Sequence, residues 1–328
     1  MESFIFALNA VTPIIIMVLI GYFLKRIGFM KPEFSKAANK LVFRVFLPAM
    51  LFLNVYRIEN IAEIKFGYAL YAVVSLLIMT AVMAPFVVLF ARAKNQKGVL
   101  LQSIFRSNYA LIGIPLASAL FGEEGVIVAT LLSAIIVPVF NILAVICLSI
   151  FREGETKIDF KGVFVEILKN PLIQSISAGL VFLGIRALFV TWGIEFRLTD
   201  ITPIEKALNY LSNMATPMAL IVLGAQFDFS AVSSMKREII FGSVMRTLVV
   251  PFVGLGGAYL FFRDSFGGAE FAALVAMFTT PVAVSSVPMA QEMDGDVTLA
   301  GQLVVWTTVI SAITIFLSSY LLKLAGIF

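Results

Sequence analysis

The feature that most constrains this chain is its succession of long apolar runs. A helix crossing a bilayer needs about 20 mostly apolar residues, because polar backbone in hydrocarbon must be satisfied within the segment. Runs of that kind lie near 4–24, 37–56, 67–91, 99–120, 125–150, 167–190, 206–227, 238–262, 270–292 and 297–322. The pattern predicts an all-α polytopic membrane protein with ten transmembrane helices. Composition agrees: 60% of the 328 residues are hydrophobic and 13% are charged, where soluble domains carry about 25% charged residues. A soluble fold of this size lacks the interior to hide so much apolar surface. Span 37–56 is the weakest on hydropathy, since it carries Asn39, Lys40 and Arg44. The first run lacks a basic leader and continues as a full span, so it reads as a helix rather than a cleavable signal.

Several function classes fall away on residue counts. The chain has no histidine, which removes His metal sites, His triads and His proton relays. The single cysteine, Cys147, can form no intrachain disulfide. No nucleotide-binding GxxxxGK[ST] motif is present, and no HExxH or paired-aspartate motif suggests an enzyme. The net charge of +4 reads as membrane orientation rather than nucleic-acid binding. Basic residues gather at Lys25, Arg26, Lys31 and Lys36, at Arg92, Lys94 and Lys97, at Arg152, Lys157, Lys161 and Lys169, and at Lys236 and Arg237. With ten spans these loops share one side, which is then cytoplasmic, and both termini are extracytoplasmic. Glu123 and Glu124, and the mixed set Glu195, Arg197 and Asp200, fall opposite. The acidic trio Glu292, Asp294 and Asp296 sits on the basic side, but acidic residues weigh little in this rule.

Prolines organise the spans into two copies. Ten of the twelve prolines lie in or at the ends of apolar runs. Pro13 pairs with Pro171, Pro48 with Pro217, Pro85 with Pro251 and Pro115 with Pro288, in chain order. Residues 107–122, SNYALIGIPLASALFG, align without a gap on 280–295, TPVAVSSVPMAQEMDG. Five helices per copy is an odd number, so the second copy enters from the opposite face, as an inverted repeat. The expected division is a first five-helix repeat over 1–150, a cytoplasmic linker over 151–166, and a second repeat over 167–328.

Spans four and nine are interrupted. Proline removes a backbone donor and clashes with the preceding turn, and the residue before it is pushed toward extended geometry. Pro115 with Gly113, and Pro288 with Ser285 and Ser286, predict breaks near mid-membrane. Backbone freed at that depth must line a cavity or be buried in protein. Two half-helix N-termini meeting there favour an anion.

The stretches VTPIIIMVLIGYFLKRIG, FLPAMLF, SNYALIGIPLASALFG and TTPVAVSSVPMAQE resemble the auxin efflux carrier family, which holds plant PIN carriers and many prokaryotic permeases. The resemblance covers nearly the whole chain and is to the prokaryotic form, without a long hydrophilic loop after span five. It implies broken helices four and nine crossing at the substrate site. It implies a scaffold of spans 1, 2, 6 and 7, and a mobile transport domain of spans 3–5 and 8–10 that carries its cargo by an elevator motion. It implies a small organic carboxylate as cargo, such as malate, malonate or an auxin-like acid, moved across the cytoplasmic membrane. The wider superfamily includes sodium–bile acid symporters, so coupling to Na⁺ or H⁺ enters as an expectation. No other cofactor is expected, and a homodimer is considered alongside the lipid bilayer as partner. A non-transporting receptor for an organic anion is the alternative reading.

The candidate site residues follow from these breaks. Asn108 matches the family's span-four asparagine; its amide can donate to a carboxylate, or can satisfy freed backbone. Ser285 and Ser286 occupy the equivalent stretch of span nine, where serine also bonds its own helix. Pro115 and Pro288 are expected to shape the crossing. Asn141 and Asn54 are expected to face it, or to bind neighbouring helices. Arg106 attracts an anion, snorkels, or pairs with a glutamate. Arg246 is a second intramembrane charge, and Arg44 is expected to snorkel. Glu292, with Gln291 and Ser107, is the candidate for cation coupling; the plainer reading places Glu292 in a solvated acidic loop with Asp294 and Asp296.

Overall fold

The computed structural model describes residues 2–58, 66–152 and 160–328. The described residues are helical, with no strands beyond one isolated bridge. The helices are α1 (Glu2–Arg26), α2 (Pro32–Leu41), α3 (Leu47–Tyr56), α4 (Phe66–Phe90), α5 (Lys94–Phe105), α6 (Ile114–Ile150), α7 (Phe160–Lys169), α8 (Pro171–Thr191), α9 (Thr202–Gln226), α10 (Ala231–Val244), α11 (Val250–Phe262), α12 (Gly268–Thr279), α13 (Ser286–Glu292) and α14 (Val297–Leu324).

Among the described residues, six helical stretches are long and apolar enough to cross a membrane: Pro32–Tyr56, Gly67–Phe90, Tyr109–Ile150, Pro171–Thr191, Ala231–Phe262 and Val297–Leu324. Helices α1 and α9 have spanning length, at 25 residues each. Two expected spans are not continuous helices at all. The first is split between α5 and the start of α6, the second between α12 and α13. Within α6 the chain turns at Phe121 and Gly122, where Gly122 takes φ +58°. Only glycine adopts that backbone without strain, so α6 is two helices meeting at the boundary expected between spans four and five. The expected linker 151–166 is shorter than read: α7 begins at Phe160, and residues 153–159, including Lys157, lie outside the described residues. Exposed Phe164 and Leu168 on α7 are what a helix lying at an interface presents.

Three helices widen just before a proline. Residues 42–46, 109–113 and 245–249 are π-helical, with Leu47, Ile114 and Val250 donating to Val42, Tyr109 and Met245. The next residue is in each case a proline: Pro48, Pro115 and Pro251. A proline ring strikes the carbonyl four residues back. Here that residue is Arg44, Leu111 or Thr247, inside the wide turn each time. The wide turn accepts the ring without breaking the helix.

The most extensive helix contacts fall in two groups. Helix α1 lies along α9, and α3 packs on α8 and α9. Helix α12 packs on α6, α5 on α6, α10 on α14 and α11 on α12. The α1–α9 crossing is close: a Cβ on Gly21 would overlap the Ile221 carbonyl, and one on Gly224 would overlap the Val18 carbonyl. Small residues let helix backbones approach where no hydrophobic force drives helices together in lipid. The two groups meet at α1–α14, α6–α8 and α2–α13.

Candidate functional site

The two breaks meet. Between α5 and the 109–113 turn the chain is extended over Arg106–Asn108, and between α12 and α13 it is unwound over Thr280–Ser285. Ser107 and Val282 form an antiparallel bridge, in which the Asn108 amide donates to the Pro281 carbonyl at 2.8 Å and the Ala283 amide donates to the Arg106 carbonyl at 3.1 Å. The Val282 amide donates to the Thr307 hydroxyl of α14 at 3.1 Å. Each broken helix supplies partners for the other's freed backbone, which is what backbone buried away from water requires.

The breaks also strip helix-end carbonyls of their donors, and one side chain takes three of them. In an unbroken helix Ile104 would accept from residue 108, Met277 from 281 and Thr280 from 284. The Asn108 amide is spent on Pro281, Pro281 has no amide proton, and Val284 lies in the unwound stretch. Arg246, 1% exposed, donates from Nη1 to Ile104 (3.1 Å), from Nη2 to Met277 (2.9 Å) and from Nε and Nη2 to Thr280 (2.9 and 2.6 Å). The carbonyls belong to the C-terminal ends of α5 and α12, where the helix dipole is negative. A buried guanidinium is well matched to two such ends. In the sequence Arg246 is an intramembrane charge without an evident task; the structure makes it the clamp of the crossing.

Arg106 is different. It is 3% exposed and donates from Nη2 to the Asn141 side-chain oxygen (2.7 Å) and from Nη1 to the Met289 sulfur (3.0 Å). Both partners are neutral. No carboxylate among the described residues pairs with it, so it neither snorkels nor finds a glutamate. It lines a cavity of about 50 Å³ together with Asn54, Ser107, Asn108, Asn141 and Ser285. The Asn108 side-chain nitrogen and the Ser107 hydroxyl there have no hydrogen-bond partner. Tyr109 also lines the cavity, buried with its hydroxyl unpartnered. Its one signal in the sequence is its place next to Asn108.

The other candidates are placed elsewhere. Ser286 is fully buried and is not part of the cavity lining, its hydroxyl unpartnered. Pro115 and Pro288 lie inside the restarted helices, not at the breaks, so the crossing is set upstream of both. Gln291 accepts from Asn39 (2.7 Å) and Gln226 (3.1 Å) beside a separate cavity with Lys25 and Lys36. Glu292 pairs with Arg44 at 3.2 Å in a third cavity, which also holds Arg152 and Lys169. It follows the α13 start by about 9 Å of helix rise. Among the described residues no group of three or more acidic or cysteine side chains is arranged to hold a metal ion.

A buried crossing of two broken helices, with donors left open, is a place where a polar solute can sit inside a membrane. The profile of a family described as "Membrane transport protein" matches residues 6–318. The chain belongs to that family. It is the auxin efflux carrier family which the sequence motifs resemble. An "Uncharacterized transporter" of Methanothermobacter thermautotrophicus is 24% identical over 319 residues, covering 96% of this chain and 98% of the relative. A second relative, an "Uncharacterized transporter" of Methanocaldococcus jannaschii, is 26% identical over 328 residues, with the same coverage of each. This membrane transport protein is therefore a multi-pass membrane protein that acts on a transported substrate in a lipid bilayer. Its family is one of transporters rather than enzymes.

Proposed function

We propose that this chain is a secondary transporter of small organic carboxylate anions, such as malate, malonate or an auxin-like acid, with its binding site at the helix crossing. The observation that carries the reading is the buried Arg106 guanidinium beside the unpartnered Asn108 amide. Both are hydrogen-bond donors, and a carboxylate accepts from both. The architecture proposed with it is ten spans in two inverted five-helix repeats, with both termini outside the cytoplasmic membrane. The ordered proline pairs and the basic loops support it. In this reading α1, α2, α3, α8 and α9 form a scaffold, and the remaining spans form a domain that moves with the cargo. The packing of α1 on α9 and α3 on α8, apart from α6 on α12, supports that division.

Reconstitution into liposomes with labelled malate, malonate and indole-3-acetate tests the reading. Saturable, protein-dependent flux of a carboxylate is expected. Saturable binding with no flux would instead make the chain a receptor for an organic anion. Imposed Na⁺ and pH gradients across the same vesicles test coupling. Flux indifferent to both gradients would rule out a coupling role for Glu292, whose charged neighbour is Arg44. Whether the chain works as a homodimer is read from the mass of the purified detergent complex.

A further inference from the structure

We propose that the crossing cavity takes its cargo as a monoanion, with Arg106 as the single counter-charge. The inference rests on the carboxylate reading above and narrows it. Two cations are buried at the crossing, and they are not equivalent. Arg246 is matched by three carbonyls at two negative helix ends. Arg106 has an amide oxygen and a thioether sulfur, neither of which carries charge. A buried ion without a counter-ion is costly, so one negative charge is what the cavity lacks.

A second negative charge has nothing to meet. Among the described residues, Arg106 is the one charged side chain in the lining. The other lining side chains are neutral: Leu47, Met50, Leu51, Val137 and Phe140 are apolar, and the polar ones, Asn54 among them, carry no charge. A dianion would leave one carboxylate desolvated against aliphatic and aromatic carbon. Size points the same way. A cavity of about 50 Å³ has room for roughly three to five waters, the bulk of a short-chain acid. The loaded site is then electrically neutral, one guanidinium with one carboxylate, and the unloaded site carries a bare positive charge.

The test uses purified full-length protein in detergent, with thermal melting as the readout because bound ligand raises the melting temperature. Propionate and lactate are the monoanions, malonate and succinate the dianions, and propionamide the uncharged isostere. Propionate or lactate is expected to stabilise the protein equally across about pH 6 to 8, since the cavity's own titratable groups, a guanidinium and the Tyr109 phenol, are of kinds that hold their protons there. Malonate and succinate are expected to protect only as their singly protonated forms appear. Their apparent affinity then rises about tenfold per unit fall in pH above the second dissociation. Propionamide is expected to give no shift. In Arg106→Gln the protection by monoanions is expected to weaken about a hundredfold or more, and Arg106→Lys to restore part of it. Protection by fully ionised dianions equal to that by monoanions overturns the proposal and leaves carboxylate transport standing. So does equal protection by propionamide. If no carboxylate protects the protein and none crosses the liposome, both this proposal and the carboxylate reading fall.

Discussion

At the scale of single residues, two arginines in adjoining positions do opposite work. Arg246 closes backbone, and its loss leaves buried carbonyls at Ile104, Met277 and Thr280 without donors. Each such orphan costs about 1–3 kcal/mol, so Arg246→Gln is expected to destabilise the fold by about 3–5 kcal/mol, read as a lower melting temperature in detergent. Arg246→Lys keeps the charge but not the fork, and should fall between. An unchanged melting temperature in Arg246→Gln would refute the clamp. Asn108 makes no side-chain donation within the fold, so Asn108→Ala should spare stability and weaken ligand affinity about tenfold. Asn108→Asp should abolish anion binding, because it supplies Arg106 with an internal counter-charge. The sequence made Asn108 and Arg106 visible, since polar residues in apolar runs stand out. It could not separate the tasks of Arg106 and Arg246. That distinction depends on which carbonyls lose their helical donors, and this is decided only when two distant breaks meet.

At the scale of elements, most helix limits were readable within a few residues, because length and apolarity are set by the solvent, although the helix expected from 238 begins at Ala231. Breaks were readable as existing but were displaced. Pro115 and Pro288 are the prominent prolines of the two aligned stretches, yet the chain unwinds upstream of both. The ring of Pro115 acts on Leu111, and the 109–113 turn widens to take it. At Pro281 there is no such turn, and the helix ends. A wide turn carries one extra residue, so relaxing it to α-helix rotates what precedes it by about 100°. Pro115→Ala is therefore expected to lower substrate affinity by turning Asn108 and Tyr109 out of register, while melting temperature holds or rises. Affinity equal to the parent would show that the turn does not set the register. The α1–α9 crossing gives an independent expectation: Gly224→Val forces apart backbones that touch and should cost about 1–3 kcal/mol, with ligand affinity at the crossing of α5 and α12 unaffected.

At the scale of the whole molecule, the ion pair between Arg44 and Glu292 joins the two packed groups of helices. Arg44 belongs to the 42–46 turn beside α3, and Glu292 ends α13. Its side chains are 59% and 14% exposed, so its own contribution to stability is small. What it offers is a marker of relative position. If one group carries the cargo past the other, as proposed, these two side chains must part in every cycle; if the groups are fixed, they stay in contact throughout. A double variant, Arg44→Cys with Glu292→Cys, separates the cases. It is made with Cys147→Ser, which removes the single native thiol, a buried one. Joining the new thiols with a short cleavable cross-linker is expected to reduce liposome flux to the protein-free level, and cleaving the linker to restore it. Each single cysteine treated alike should keep its flux. Full flux in completely cross-linked protein would mean that the cargo crosses without this displacement, and the moving-domain reading would give way to one in which the crossing opens to each side in turn around a fixed frame.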